Sequence, residues 1–275
     1  MKIFVSVDME GITGLPDHTF VTDYKHNYER ARRIMTQEAN AVIEAAFANG
    51  ATEVVVNDSH SNMNNLLIGE LHPDATLITG SKKPYSMVQS LDESYDGAIF
   101  IGYHSRAGTP GVMSHTMTLF IRNVYINDRV VGEIGMNAFK AGYHGVPVIL
   151  LAGDQFACQE AKELIPDIET VTVKEAISRS SAKSLHPEKA QQLLKQHTTN
   201  AMKKLKSIKP LVPPENPMVK VEFNNYGQAE GAAYLPGSQL DPHAPIVEYH
   251  AKNMDEAYRA ILVMANLASD VTYSG

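Results

Sequence analysis

The sequence has a single cysteine, Cys158, in 275 residues. No disulfide can form within the chain, and no cysteine-built zinc site is possible. Cys158 lies in the helix-like run 154–164 and reads as a small buried apolar residue rather than a reactive thiol. Positive charge is also scarce: 24 Lys and Arg stand against 31 Asp and Glu, a formal net charge of -7. That excludes the basic surface that non-specific nucleic-acid binding requires and a polybasic hold on anionic membranes. No segment reaches the roughly 18 apolar residues of a membrane-spanning helix. The opening MKIFVSVDMEG is apolar only briefly and is broken by Asp8 and Glu10. It reads as neither signal peptide nor span, and the expected location is the cytoplasm.

Several catalytic signatures are missing as well. Gly11 and Gly14 do not make a dinucleotide fingerprint, and the acids at that turn would repel a pyrophosphate. There is no Walker-type phosphate loop, no Gly-x-Ser-x-Gly elbow and no His-Glu-x-x-His helix. Nor is there an internal repeat or a low-complexity tract. The composition is that of an ordinary globular protein, long enough for one large domain or two modest ones.

Hydrophobic spacing predicts alternating strands and helices. Lys2 to Val7, Glu53 to Val56, Ala75 to Ile78, Gly97 to Gly102 and Pro147 to Ala152 read as strands. Val124 to Ile126 followed by Asn127-Asp128 reads as a strand and turn. Helices are expected over Asn27 to Asn49, closed by Gly50, and over Glu133 to Tyr143 and Gln155 to Leu164. This pattern implies an α/β fold, with a mostly parallel sheet flanked by helices, over residues 1–169. The texture then changes. Ser184 to Lys206 is polar and helix-prone, and Lys209 to Pro217 holds four prolines. Strands at Val219 to Phe223 and Ile246 to Tyr249, with a helix over Asp255 to Ala268, suggest a smaller α+β domain over residues 170–275.

Polar residues follow the strands. The first strand runs into Asp8-Met9-Glu10, the second into Asn57-Asp58-Ser59-His60, the strand from Gly97 into Tyr103-His104, and that from Pro147 into Gly153-Asp154. In a parallel sheet these ends share one edge, where open α/β sheets bind ligands. Residues i and i+2 of extended chain face one way. Asp8 and Glu10 would then repel each other unless a cation lay between them. His60 and His104 are neutral nitrogen donors suited to zinc. These four residues are the metal-site candidates that spacing supports. Glu133 opens a helix, either as a favourable charge at its N-terminus or as a ligand, and spacing does not choose. His115 follows the His104 strand as a third ligand, a proton shuttle or a surface residue. The remaining histidines read as surface or structural.

These residues match a known pattern. Ser6-Val7-Asp8-Met9-Glu10-Gly11 resembles the S-x-D-x-E-G signature of the DppA-type D-aminopeptidases, zinc metallopeptidases also catalogued as dipeptide transport proteins. Asn57-Asp58-Ser59-His60, Gly102-Tyr103-His104, Met113-Ser114-His115, Gly132-Glu133 and Asn225-Tyr226-Gly227-Gln228-Ala229-Glu230 are similar to its other blocks, so the resemblance spans almost the whole chain. It implies that Asp8, Glu10, His60, His104 and Glu133 bind two zinc ions per subunit, with Asp8 as the bridge. It implies that His115 is catalytic, and that a metal-activated water removes the N-terminal D-amino acid from short peptides such as D-Ala-D-Ala. It also implies a ring-shaped homo-oligomer, a homodecamer, whose active sites face an inner chamber. The competing readings are a di-zinc amidase or esterase acting on another small substrate, and a non-catalytic dipeptide-binding protein.

Overall fold

The computed structural model describes residues 1–271. In chain order the elements are β1 (Lys2–Val7), α1 (His18–Val21), α2 (Tyr28–Ala48), β2 (Glu53–Asp58), β3 (Thr76–Ile78), β4 (Gly97–Tyr103), β5 (Ile121–Ile126) and β6 (Arg129–Val131). They continue with α3 (Glu133–Tyr143), β7 (Val148–Asp154), α4 (Gln155–Leu164), β8 (Glu169–Ser178), β9 (Ser181–Ser184) and α5 (Pro187–Lys204). The chain closes with β10 (Met218–Phe223), α6 (Tyr226–Ala232), β11 (Gln239–Leu240), β12 (Ile246–His250) and α7 (Met254–Ser269). None of the described helices is long and apolar enough to cross a membrane.

The large sheet has seven strands in the order β3-β2-β1-β4-β7-β8-β9. Every neighbouring pair from β3 to β8 is parallel, and β9 returns antiparallel on β8. All residues of β4 and β7 are buried. A strand buried on both faces needs continuous apolar side chains, which is why these segments read as unbroken hydrophobic runs. Helices α2 and α5 pack on one another and on the sheet, as do α3 and α4. The predicted helix over Asn27 to Asn49 is α2. Gly50 at φ 93° closes it, with Ala51 N–H on the Ala46 carbonyl and Gly50 N–H on the Phe47 carbonyl. That is the 6→1 and 5→2 pair of a left-handed helix stop.

The second sheet is antiparallel, in the order β11-β12-β10-β5-β6. Buried and half-buried residues alternate along β10, as expected of a sheet with one face on the core. Helices α6 and α7 pack together and against this sheet, and α7 also touches α3. The two sheets are not consecutive in the chain. β5 and β6, from the first half, belong to the small sheet, while β8 and β9 extend the large one. A division at residues 169/170 therefore does not coincide with the division between the sheets.

The turn after β1 is held from below by two buried ionisable groups. The Lys174 ammonium, on β8, donates to the carbonyl oxygens of Glu10, Ile12 (2.9 Å) and Leu15 (2.6 Å). Glu38, wholly buried on α2, accepts from Thr13 N–H at 3.0 Å. Burial raises the Glu38 carboxyl from 4.5 to about 7, against the opposing pull of Thr13 N–H and Lys174. A carboxyl that binds its proton more tightly in the folded state stabilises the fold fully below its unfolded pKa. That contribution is lost as pH climbs through the folded value. Glu38→Gln should therefore gain in melting temperature relative to wild type between pH 5 and pH 8. Parallel thermal melts at the two pH values check this; a difference that does not grow with pH refutes it.

Candidate metal centre

The sheet order places β1 between β2 and β4, where the connections change direction. Ligand crevices of doubly wound sheets lie at this switch point, outside the carboxyl ends of the strands. Asp8 and Glu10 follow β1, His60 follows β2, His104 follows β4, and Glu133 opens α3. The ends of β1 and β4 are pressed together. Asp8 N–H bonds the Ile101 carbonyl at 2.8 Å, and Gly11 N–H bonds the Gly102 carbonyl at 2.7 Å. Only glycine allows this approach. A Cβ at Gly11 would lie 2.1 Å from the Tyr103 carbonyl oxygen, and one at Gly102 (φ +71°) would lie 2.1 Å from the Asp8 carbonyl oxygen.

All five sequence candidates converge, each buried. Asp8 turns its two oxygens to different imidazoles: Oδ1 lies 3.3 Å from His60 Nδ1, and Oδ2 lies 3.5 Å from His104 Nε2. Glu10 Oε2 sits 3.0 Å from His60 Nδ1. Glu133 Oε2 sits 3.5 Å from His104 Nε2, while its Oε1 accepts from Met117 N–H at 2.5 Å. Each imidazole is oriented by its other nitrogen. His60 Nε2 donates to the Val21 carbonyl at 2.7 Å, and His104 Nδ1 donates to the Ser105 carbonyl at 3.0 Å. Backbone acceptors of this kind fix the ring and leave the opposite nitrogen for a ligand.

His115 approaches from the loop after β4 and stacks on His104, with ring centroids 4.1 Å apart and planes 10° apart. Its Nδ1 donates to the Met113 carbonyl at 2.8 Å, and its Nε2 lies 3.9 Å from Glu133 Oε1. His115 is only partly buried. It lines a cavity of about 650 Å³ together with Asp8, Glu10, His60 and Glu133. Among the described residues no other histidine joins the cluster. Asp154, at the end of β7, is turned away from it. Its carboxylate caps α4 through Phe156 and Ala157 N–H and holds Val112 N–H at 2.7 Å.

The electrostatics show how the five groups act on one another. Burial pushes the Asp8 carboxyl up to about 8, with Glu10 adding to the effect. Burial acts to raise Glu10 and Glu133 too, but His60 and His104 respectively hold them low. Burial would depress His60 and His104, yet Glu10 and Glu133, the first carboxylate each faces, drive them well above the usual imidazole range. His115 is the exception: burial and the neighbouring His104 lower it. Three carboxylates and two imidazoles buried together are a charge pattern suited to a cation, and a metal ion displaces protons from such ligands when it binds. Two atoms carry the clearest sign. Asp8 Oδ2 and His104 Nε2 are buried without a hydrogen-bond partner, although buried polar atoms are ordinarily satisfied.

The donor atoms of Asp8, Glu10 and His60 lie within 4.8 Å of one another, as do those of Asp8, His104 and Glu133. Asp8 is common to both groups. A third grouping, Glu10, His104 and His115, meets the same limit. It takes one donor from each of the first two groups, so it overlaps them and marks no separate place. Carboxylate and imidazole donors at these separations fit a divalent cation such as zinc.

A buried polar network behind the floor escaped the sequence reading. Ser6 Oγ bonds Ser59 Oγ and Tyr103 OH, each at 2.7 Å. Asn137 donates to Tyr103 OH at 2.9 Å and accepts from Tyr258 OH at 2.7 Å. The network ties α7 to the end of β4. Asn137 stands one helical turn after Glu133, which is the signal that could have found it. Tyr258 carries no comparable signal.

A carboxylate–imidazole cluster at the switch point of a doubly wound sheet, open to a cavity of substrate size, is the arrangement of the metallohydrolase class. Comparison with known proteins narrows this. The sequence pattern of peptidase family M55, described as D-aminopeptidase, matches residues 1–263. A D-aminopeptidase of Bacillus subtilis (strain 168) is 55% identical over 273 residues, covering 99% of this chain and 100% of the relative. The solved structure of "Zn-dependent D-aminopeptidase DppA from Bacillus subtilis, a self-compartmentalizing protease" superposes with a TM-score of 0.98 at 54% identity, covering 99% of this chain and 100% of that one. The chain belongs to the D-aminopeptidase family.

Gly102→Ala should separate the strand ends that align Asp8 with His104. We expect a loss of about 2 kcal/mol or more in stability, from the strained φ and the backbone clash together. Weaker divalent-cation binding should accompany it. Denaturant titration and metal analysis of the purified variant check both.

Proposed function

We propose that this protein is a zinc-dependent D-aminopeptidase that hydrolyses the N-terminal D-amino acid from short peptides such as D-Ala-D-Ala. Asp8, Glu10, His60, His104 and Glu133 would hold two zinc ions per subunit, Asp8 belonging to both donor groups. The observation that carries this reading is the pair of donor groups sharing Asp8, one oxygen turned to each side. Its substrate class comes from the D-aminopeptidases to which the chain is similar along almost its whole length.

Bound zinc supplies Lewis-acid polarisation of a carbonyl and lowers the pKa of water toward about 7. The protein's own groups do the rest. The Val21 and Ser105 carbonyls hold His60 and His104 in the tautomers that present Nδ1 and Nε2 to the centre. His115 is the catalytic residue. Its Nδ1–H is tied to the Met113 carbonyl, so Nε2 is the free nitrogen in the cavity. Its lowered pKa keeps it neutral near pH 7, able to accept a proton and return it to the leaving amine.

The protein assembles as a ring-shaped homo-oligomer, a homodecamer, with its cavities facing an inner chamber. Two observations support assembly. The similar solved protein is a self-compartmentalizing protease. Large apolar side chains at Tyr24, Ile68, Leu119 and Tyr234 are exposed on the single chain. A lone buried thiol and no disulfide suit the reducing cytoplasm.

His115→Ala should keep its zinc but lose roughly 100-fold or more in kcat, whereas Asp8→Ala should lose both metal and activity. Zinc analysis alongside steady-state kinetics separates the two; unchanged kcat in His115→Ala would sink the catalytic assignment. The reaction itself is tested with D-Ala-D-Ala and L-Ala-L-Ala, with and without chelator. We expect chelator-sensitive release of D-Ala only. Turnover of a non-peptide amide or ester in place of both dipeptides would move the reading to another hydrolase.

A further inference from the structure

The charges lining the cavity are segregated. Among the described residues its only carboxylates are Asp8, Glu10 and Glu133, all on the buried floor. Its lysines and arginine are Lys82, Lys83 and Arg259, on the walls. Lys83 is already engaged by the chain, donating to Asn57 Oδ1 at 2.8 Å and the Asp58 carbonyl at 2.5 Å. Lys82 and Arg259 differ. Both are exposed, and neither lies within salt-bridge distance of a carboxylate among the described residues. Both line the same cavity, and the loop that carries Lys82 reaches α7 through Tyr85. Tyr85 and Tyr258 pack there with centroids 6.4 Å apart, and the Arg259 guanidinium lies 5.8 Å from the Tyr85 ring.

We propose that Lys82 and Arg259 are specificity-determining residues that receive the free C-terminal carboxylate of a short peptide whose amino end lies at the metal-binding floor. The proposal rests on the peptidase reading above and deepens it. Two cationic groups without a carboxylate partner fit an anionic substrate terminus, and the C-terminal carboxylate is the anionic end that every free short peptide carries. A cavity of about 650 Å³ accommodates only a few residues between those ends. The selection is then for peptides with a free terminus within reach of the wall. Guanidinium and ammonium groups in a half-enclosed site bind a carboxylate by charge-assisted hydrogen bonds.

The test compares a short D-peptide with its C-terminal amide, using zinc-loaded enzyme. Wild type should prefer the free acid in kcat/KM by roughly fivefold to tenfold, the range for a partly screened charged contact. The Lys82→Met/Arg259→Met double variant should bring the ratio toward one, chiefly through KM for the acid. Arg259→Lys with Lys82 intact should retain most of the preference. The preference should also shrink with added salt in wild type but not in the double variant. A wild-type ratio near one, or a ratio that survives in the double variant, overturns the proposal. Failure of wild type to cleave either peptide overturns the peptidase reading and this proposal with it, so the two failures are distinguishable.

Discussion

Asp8 stands where the large sheet reverses its direction of growth, and its two oxygens face two different imidazoles. Everything else in the site is arranged around that division. Glu10 accompanies the His60 side and Glu133 the His104 side, so the centre has two halves that share one carboxylate. The division depends on how closely the ends of β1 and β4 approach. That approach depends in turn on two residues without side chains, Gly11 and Gly102, each occupying the space where the other strand's backbone passes. A side chain at either would push Asp8 away from His104 before any question of chemistry arose.

Such a cluster is expensive for a fold to keep without a cation. Five ionisable groups are buried together, and burial penalises the charged form of every one. The surrounding structure answers with fixed dipoles and one buried cation. Lys174 gathers three carbonyls of the turn after β1, and Asp58 holds the loop carrying His60 through Asn65 and Leu66 N–H. Met117 N–H anchors Glu133. A centre restrained in this way is organised before the ion arrives, so less ordering remains to be done on binding.

The parallel sheet was legible because its strands are buried on both faces and read as unbroken apolar runs. The convergence of Asp8, Glu10, His60 and His104 followed from one rule, that polar residues after parallel strands share an edge. Glu133 was different: from spacing it was as much a helix-terminal charge as a ligand, and only the fold brings it opposite His104. The membership of β5 and β6 in the second sheet was not legible either. β6 joins only through β5, whose other partner β10 sets Val221 opposite Val124, and antiparallel pairing at that distance leaves no local trace. The same is true of Tyr258, whose hydroxyl reaches Asn137 across 121 positions. Local periodicity reports which face of an element is apolar, not which distant element covers it.

The floor of the cavity and its wall are made of different material. The floor consists of strand ends locked by backbone hydrogen bonds and glycine contacts. The wall includes a surface loop and part of α7, where Lys82 and Arg259 are exposed. Drift in sequence meets unequal resistance at the two places. A change on the floor disturbs the sheet, whereas a change at an exposed wall position such as Lys82 leaves the sheet's backbone contacts in place. A scaffold divided in this manner can diversify its choice of substrate by exchanging wall residues one at a time while its chemistry stays fixed.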